Sequence, residues 1–352
     1  MMIAPIDQWI DRVCEGRHLT REQTASLVDA IMDGRLAEDR LARYLTALSD
    51  KGETVEEIVG AAEAMRRHVT RIDCDVPDAI DTCGTGGDGI STFNVSTAAA
   101  LVAAGAGATV AKHGNRSNSR KSGSAEVLRA LGVDIDAPPA VVERCIREAG
   151  IGFLFAAKLH PAMKHVASVR RSIGRRTIFN LLGPLTNPAF VTRQIVGVPR
   201  VELIETIAEA LRELGTVHAL VVCGHDGLCD FTITGPSRYV ELRDGNCSQR
   251  VVSPEEAGLA PGSLGALRID SPTESAAAIR AILEGEPGPR RDHTVLNAAA
   301  ALIVAGVAAD WAEGVRRSAD ALDSGAASGV LEKLVSIAPG GDRPDEEGAD
   351  PS

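Results

Sequence analysis

The sequence predicts an α/β protein in which a small helical N-terminal domain precedes a large α/β domain with a mostly parallel sheet. Three observations lead there. Residues 1–72 carry only helical periodicity, short β-type runs alternate with helical ones after Pro77, and 3% aromatics with 35 glycines imply close packing of small and aliphatic side chains. At 352 residues and 44% hydrophobic, the chain can build a sizeable core.

Thr20 with Gln23 and Thr54 with Glu57 are capping-box pairs that start helices. Apolar stripes at helical spacing follow: Leu27 and Ile31, then Leu41, Leu45 and Leu48, then Ile58, Ala62 and Met65. Gly34 and Gly52 stand where those helices should stop. The strand candidates are "AIDTC", "ATVAK", "FLFAA", "QIVGV" and "VHALVVCG", each ending near Gly or a polar loop. Residues 161–187 interrupt the alternation with a basic helix-like segment and a Gly/Pro/Asn-rich turn. The expected division is therefore 1–72 plus about 161–187 as the helical unit, 73–160 plus 188–337 as the α/β unit, and 338–352, acidic and nearly without apolar residues, as a disordered tail.

A net charge of −11 without a long Lys/Arg run removes the footprint of a nucleic-acid binder. Seven scattered cysteines without a C-x-x-C pair suit a reducing compartment, and neither a signal peptide nor a membrane span is legible, so a cytoplasmic location is expected.

Four stretches could carry chemistry. "DTCGTGGDG" (81–89) lies at a strand-to-helix turn, where backbone N–H groups bind anions without a cationic side chain; it fits neither the dinucleotide fingerprint nor a P-loop. "KHGNRSNSRKSGS" (112–124) places Lys112, His113, Asn115, Arg116 and Ser119 at a second strand end, so the two loops would make a phosphate cleft with cations on one wall. In the basic segment, a helix from about Pro161 would project Arg170 on a defined face, suited to a carboxylate, while Arg175 and Arg176 would face solvent. "CGHDGLCDFTITGPS" (223–237) offers Asp226 and Asp230 as hard oxygen ligands for Mg²⁺, or reads equally as an Asp-Gly turn.

Together these stretches resemble the anthranilate phosphoribosyltransferases over the chain up to about residue 337: "GTGGDG" with "NVSTA", "KHGNRS", "HPAM", "VRR" and "RTIFNLLGPLTNP". The resemblance implies a nucleoside phosphorylase/phosphoribosyltransferase-like fold with a helical small domain. It implies transfer of the 5-phosphoribosyl group from phosphoribosyl pyrophosphate to the amine of anthranilate, with Mg²⁺, in a homodimer formed through that domain. By position, Gly84, Thr85, Gly86, Gly87, Asp88, Thr92, Asn94, Ser96, Thr97, Lys112, His113, Gly114, Asn115, Arg116, Ser117, Ser119, Gly123 and Ser124 would line the donor site. Gly84, His113, Asn115, His160, Arg170 and Gly183 would line the anthranilate channel, Arg170 facing the carboxylate. His113 is expected to position the acceptor, because the amine of anthranilate is already a free base at neutral pH.

Ser96 and Asp230 would hold metal, with Asp226 as a further candidate, and Cys229 stands where the family has Asp. A thiol is a soft ligand and Mg²⁺ prefers hard oxygen, so one of the family's two Mg²⁺ sites is expected to survive. Ala157, Leu159 and Arg120 are smaller departures near the acceptor and donor loops. Other readings are a same-fold enzyme with another aromatic acceptor, a nucleoside phosphorylase, or a catalytically impaired paralogue that binds without turnover.

Overall fold

The computed structural model describes residues 4–73, 75–117 and 121–341. Four helices come first: α1 (Ala4–Cys14), α2 (Arg21–Met32), α3 (Glu38–Lys51) and α4 (Val55–Arg67). Both capping boxes form, with the Thr20 hydroxyl accepting from the Gln23 N–H and the Thr54 hydroxyl from the Glu57 N–H. Each satisfies two N–H groups that a helix start leaves open. Gly52 ends α3 at φ 86° and Gly34 follows α2 at φ 69°, both in the left-handed region that glycine enters without steric penalty. Glu57, fully buried, accepts from the Leu19 and Thr54 N–H groups and pairs with Lys51 at 2.8 Å, which ties three elements of this unit together.

Beyond them the chain alternates through β1 (Ile80–Gly84), α5 (Val95–Gly105), β2 (Val110–Gly114), α6 (Ser124–Ala130), α7 (Pro139–Ala149), β3 (Ile151–Phe155) and the short α8 (Ala156–Leu159). A 3₁₀ turn at Pro161–Met163 then leads into α9 (Lys164–Ile173) and α10 (Phe179–Leu182). The basic helix thus starts at Lys164 rather than at Pro161, since Pro161 supports only the tighter turn. It is followed by β4 (Arg193–Gly197), α11 (Glu202–Glu213) and β5 (His218–Gly224), and then by β6 (Ser237–Arg243) and β7 (Asn246–Val252). The helices α12 (Leu264–Leu267), α13 (Pro272–Leu283), α14 (Pro289–Ala305), α15 (Trp311–Asp323) and α16 (Ala326–Ile337) complete the chain.

The seven strands form one sheet in the order β3-β2-β1-β4-β5-β6-β7, parallel through β5 and antiparallel across the last two pairings. The five expected strands are the parallel ones; the β6–β7 hairpin extends them. Its turn at Asp244–Gly245, with φ of 49° and 80°, is the Asp-Gly signal of a two-residue hairpin, legible but unread in the sequence. Because β2 and β3 lie on one side of β1 while β4 and β5 lie on the other, the strand order reverses between β1 and β4. Ligands of open α/β sheets collect outside the carboxyl ends of strands at such a switch point.

Two cores flank the sheet. Ile195, Leu220 and Val222 pack with α5, α13 and α14 on one face. Val196, Ala219 and Val221 face the other core, shared with α11, with α2–α4 and with Val166, Val169, Phe179 and Leu182 of the excursion. Burial on both faces explains why the parallel strands read as continuous apolar runs. Of the expected tail, residues 342–352 lie outside the described residues, but Ala338, Pro339 and Gly340 are held. Asp134 N–H donates to Ala338 O at 2.8 Å and Gly340 N–H to Gly132 O at 2.9 Å, so backbone pairing, which composition does not reveal, corrects the boundary.

Candidate active site

The carboxyl ends of β1 and β4 meet at Gly84 and Gly197, paired in register. Thr85 N–H donates to Gly197 O at 2.8 Å, and a side chain on Gly197 would run into the backbone of Cys229. Gly197, absent from the sequence-derived site, is therefore the point where β1, β4 and the 224–230 loop stack. Past Gly84 the chain turns through Gly86, Gly87 and Gly89 at φ of 64°, 87° and 69°. Asp88 fixes the turn: its carboxylate accepts from the Ile90 N–H at 3.2 Å and from the Cys229 N–H at 3.2 Å.

Lys112 leaves β2 with its side chain 2% exposed and donates to Thr82 O at 2.9 Å, to the Thr82 hydroxyl at 3.2 Å and to the Ser96 hydroxyl at 3.3 Å. Burial lowers its pKa, and the charges of Asp81 and Asp230 work against that fall. The structure thus brings Lys112 and Ser96 together at the start of α5, where the charge of Asp230 also acts on the ammonium. Asn94 precedes that helix, its amide donating to Ser122, while the hydroxyls of Thr92 and Thr97 are buried and hold no partner among the described residues.

The second loop is stitched to the first. Lys121 pairs with Asp270 and its N–H donates to the Ser91 hydroxyl. Asn115 and Arg116 are exposed, Ser124 donates to Asn115 O at 3.2 Å, and Gly114 and Gly123 are glycines of close approach, facing the Ser124 hydroxyl and the Ser117 N–H respectively. Ser119 and Arg120 lie outside the described residues.

On the acceptor side, His113 and His160 are both buried with Nε2 atoms 3.2 Å apart. His113 Nδ1 is 3.0 Å from Gly183 O, and since a carbonyl only accepts, the proton sits on Nδ1. His113 Nε2 then accepts from His160. Burial lowers the pKa of His113 to about 3, with His160 contributing, and that of His160 to about 4, so both rings are neutral. Asp81 sets this geometry from below, accepting from the His113 N–H at 3.0 Å and from the Asn187 amide at 2.8 Å. Asp81 and Asn187 both lie in stretches the sequence singles out, but nothing local marked either as a partner of His113. Arg170, half-buried on α9, lies over the Phe179 ring at 5.8 Å, and burial lowers its pKa.

Two metal candidates fail on chemistry. The ligand atoms of Asp81, Cys83 and His113 converge within 4.8 Å, but both Asp81 oxygens are taken by N–H donors and burial raises the Cys83 thiol far from its thiolate. Asp226 is committed to its own turn, accepting from the Leu228 N–H and the hydroxyls of Thr232 and Thr234. Ser96 puts a hard oxygen beside Lys112 and the charge of Asp230 acts on the same ammonium, while Cys229 is a buried thiol. Arg175 and Arg176 do not simply face solvent, contrary to expectation. Arg175 bonds Asp50 and Thr46 O, and Arg176 is half-buried at the wall of a cavity, because the link from α9 to α10 folds back onto α3.

A Gly-rich turn at a sheet switch point, a buried ammonium beside it and a helical bundle packed on one face define a class. Residues 7–69 match the glycosyl transferase family helical bundle domain and residues 76–328 its a/b domain, so the chain belongs to that glycosyl transferase family. Within it, the chain belongs to the anthranilate phosphoribosyltransferases. It is 50% identical over 337 residues to the enzyme of that name from Chloroflexus aggregans, covering 95% of this chain and 99% of the relative. It is 48% identical over 326 residues to the one from Desulfatibacillum aliphaticivorans, covering 93% and 96%. Among solved structures, anthranilate phosphoribosyltransferase from Thermus thermophilus superposes with TM-score 0.89 at 43% identity, covering 93% of this chain and 98% of that one. The Saccharomyces cerevisiae enzyme in complex with PRPP (phosphoribosyl pyrophosphate) and Mg superposes with TM-score 0.87 at 27% identity, covering 95% and 98%. These relatives favour the first of the functional readings. No helix among the described residues is long and apolar enough to cross a membrane.

Proposed function

We propose that this chain transfers the 5-phosphoribosyl group of phosphoribosyl pyrophosphate to the amine of anthranilate, giving N-(5-phosphoribosyl)anthranilate and pyrophosphate. The observation that carries the reading is the buried Lys112 ammonium, bonded to the Ser96 hydroxyl beside the glycine turn and acted on by the charges of Asp81 and Asp230. Positive charge in a low-dielectric site acts strongly on departing pyrophosphate oxygens. The backbone N–H groups of the turn add donors, and the unpartnered hydroxyls of Thr92 and Thr97 would gain partners from donor oxygens. Arg170, without a hydrogen-bond partner among the described residues, suits the anthranilate carboxylate, and orienting that group orients the amine for attack. The neutral His113–His160 pair shapes the acceptor wall; with its lone pair occupied, His113 positions rather than abstracts. Ser96 and Asp230 fit one Mg²⁺, which when bound would neutralise pyrophosphate charge. A homodimer formed through the helical unit and a cytoplasmic location belong to the same proposal; six described cysteines, none in a disulfide, support the latter.

The test follows loss of anthranilate fluorescence with phosphoribosyl pyrophosphate across a Mg²⁺ titration. Consumption that requires both donor and metal, and that falls strongly in Asp230→Asn, is expected. No consumption by a folded wild type that still binds the donor would overturn the acceptor assignment.

A further inference from the structure

β7 is the last strand of the sheet and pairs only with β6. Residues 246–251 are all exposed, and Val251, at 59%, is the most exposed large apolar side chain among the described residues. Sheet edges are ordinarily blunted by proline, bulges, brevity or several charges. β7 runs seven residues in unbroken register, without proline or bulge, and Arg250 is its one charge.

The hairpin decides which backbone groups face outward. Asp244 and Gly245 make a two-residue turn at positive φ, so Arg243 and Asn246, paired across it, exchange hydrogen bonds, and the bonded pairs recur at every second residue. The Asp244 N–H donates to Val217 O, just before β5, in agreement with this phase. Asn246, Ser248, Arg250 and Val252 are therefore spent on β6. Cys247, Gln249 and Val251 turn their N–H and C=O groups to the open side, where no other described element bonds them.

A second copy of β7 matches this edge in one register. Antiparallel about a two-fold axis at Gln249, each Gln249 faces the other and each Cys247 faces Val251 of the other copy, so every outward N–H and C=O finds a partner. An axis at Ser248 or at Arg250 leaves one outward residue of each strand opposite a residue beyond β7, and the latter also sets Arg250 against Arg250, a repulsive pair. The side chains favour the same register. Val251 comes beside Cys247 of the other copy, at a groove of about 440 Å³ whose lining includes Val55, Ala208 and Val240. Arg250 comes beside Ser248 of the other copy, whose neighbour on β6 is Glu241, the acid that Arg250 already meets at 3.6 Å within its own chain.

We propose that β7 is a self-association edge that joins two copies of this chain into one continuous sheet through the register centred on Gln249. A single strand pair buries less than a standard stable interface, so the association is reversible and concentration-dependent. It uses elements outside the helical unit and does not depend on the proposed activity.

The experiment is sedimentation velocity of the full chain across micromolar concentrations, beside Gln249→Pro and Val251→Lys. The Gln249 N–H points away from β6, so proline there removes an outward donor and leaves the hairpin ladder intact. Wild type should reach twice the mass of either variant at the highest concentration, whatever mass the helical unit by itself supports, while circular dichroism and anthranilate consumption stay unchanged. Register is read by oxidation. Bonded antiparallel partners lie about 5.5 Å apart at Cα, within disulfide reach, so Val251→Cys should cross-link to Cys247 of the other copy, whereas Arg250→Cys, on the opposite face, should not. Equal masses for wild type and both variants at every concentration would overturn the proposal, and equal cross-linking by Val251→Cys and Arg250→Cys would overturn the register.

Discussion

Replacing Asp81 by Asn probes the electrostatics beneath the strand ends. The carboxylate is fully buried and accepts from the His113 N–H at 3.0 Å and the Asn187 amide at 2.8 Å. Burial outweighs these bonds and the nearby Lys112 charge, raising its pKa from 3.8 to about 6. An acid whose folded pKa lies above its unfolded value binds its proton more tightly when folded. The protein therefore gains stability through this group as pH falls through about 6, and the gain is complete below 3.8. At about 1.4 kcal/mol per tenfold in proton affinity, the rise corresponds to about 3 kcal/mol. Asn does not titrate, so the unfolding free energy of the wild type should increase relative to Asp81→Asn by about that amount between neutral pH and about pH 4. Urea unfolding in a Trp9→Phe background reads the right region, since Trp311 packs against Phe231 and Tyr239 in the core next to the sheet. A difference between wild type and variant that does not change with pH would refute the buried-carboxylate argument.

Other consequences are equally open to measurement. Gly197→Ala puts a methyl 2.5 Å from the Cys229 carbonyl carbon, so overpacking should cost about 1–3 kcal/mol or more, seen as a lower Tm and weaker Mg²⁺-dependent donor binding. Gly329→Ala, within α16 and in open space, should instead raise stability by roughly 0.5–1 kcal/mol in the same melt. Glu57→Ala removes the carboxylate paired with the buried Lys51 ammonium, leaving it His18 Nδ1 and Gly52 O, and should cost about 3–5 kcal/mol, followed by Trp9 emission in the helical unit. Histidines held neutral at about 3 and about 4 should leave kcat/KM for anthranilate without an imidazole inflection between about pH 6 and pH 8; a step near 6.5 would show that His113 or His160 titrates as an ordinary residue. The same depressed values mean that these rings withdraw stability as pH falls below 6.5, in opposition to Asp81.

Features whose cause is local were legible in the sequence. Thr20 and Thr54 cap helices through partners three residues away, Gly52 ends a helix through its own φ, and the parallel strands are apolar because both faces are covered. The glycine turn and the Lys112 loop stood out for the same reason, each being a short run whose composition states its backbone freedom. Tertiary structure decided what depends on partners distant in the chain. The proton on His113 Nδ1 is set by Gly183, seventy residues on. Asp81 acts through Asn187, at a separation of 106. Gly197 is glycine because the Cys229 backbone crosses it, and Asp226 is spent on threonines that only the folded loop brings round. Arg175 and Arg176 look alike in the sequence, yet one pairs with Asp50 and the other is left in a cavity with Glu53 and Arg200. Side-chain charge is written in the sequence, but desolvation and pairing, which fix what that charge can do, arise only when the two units close on one another.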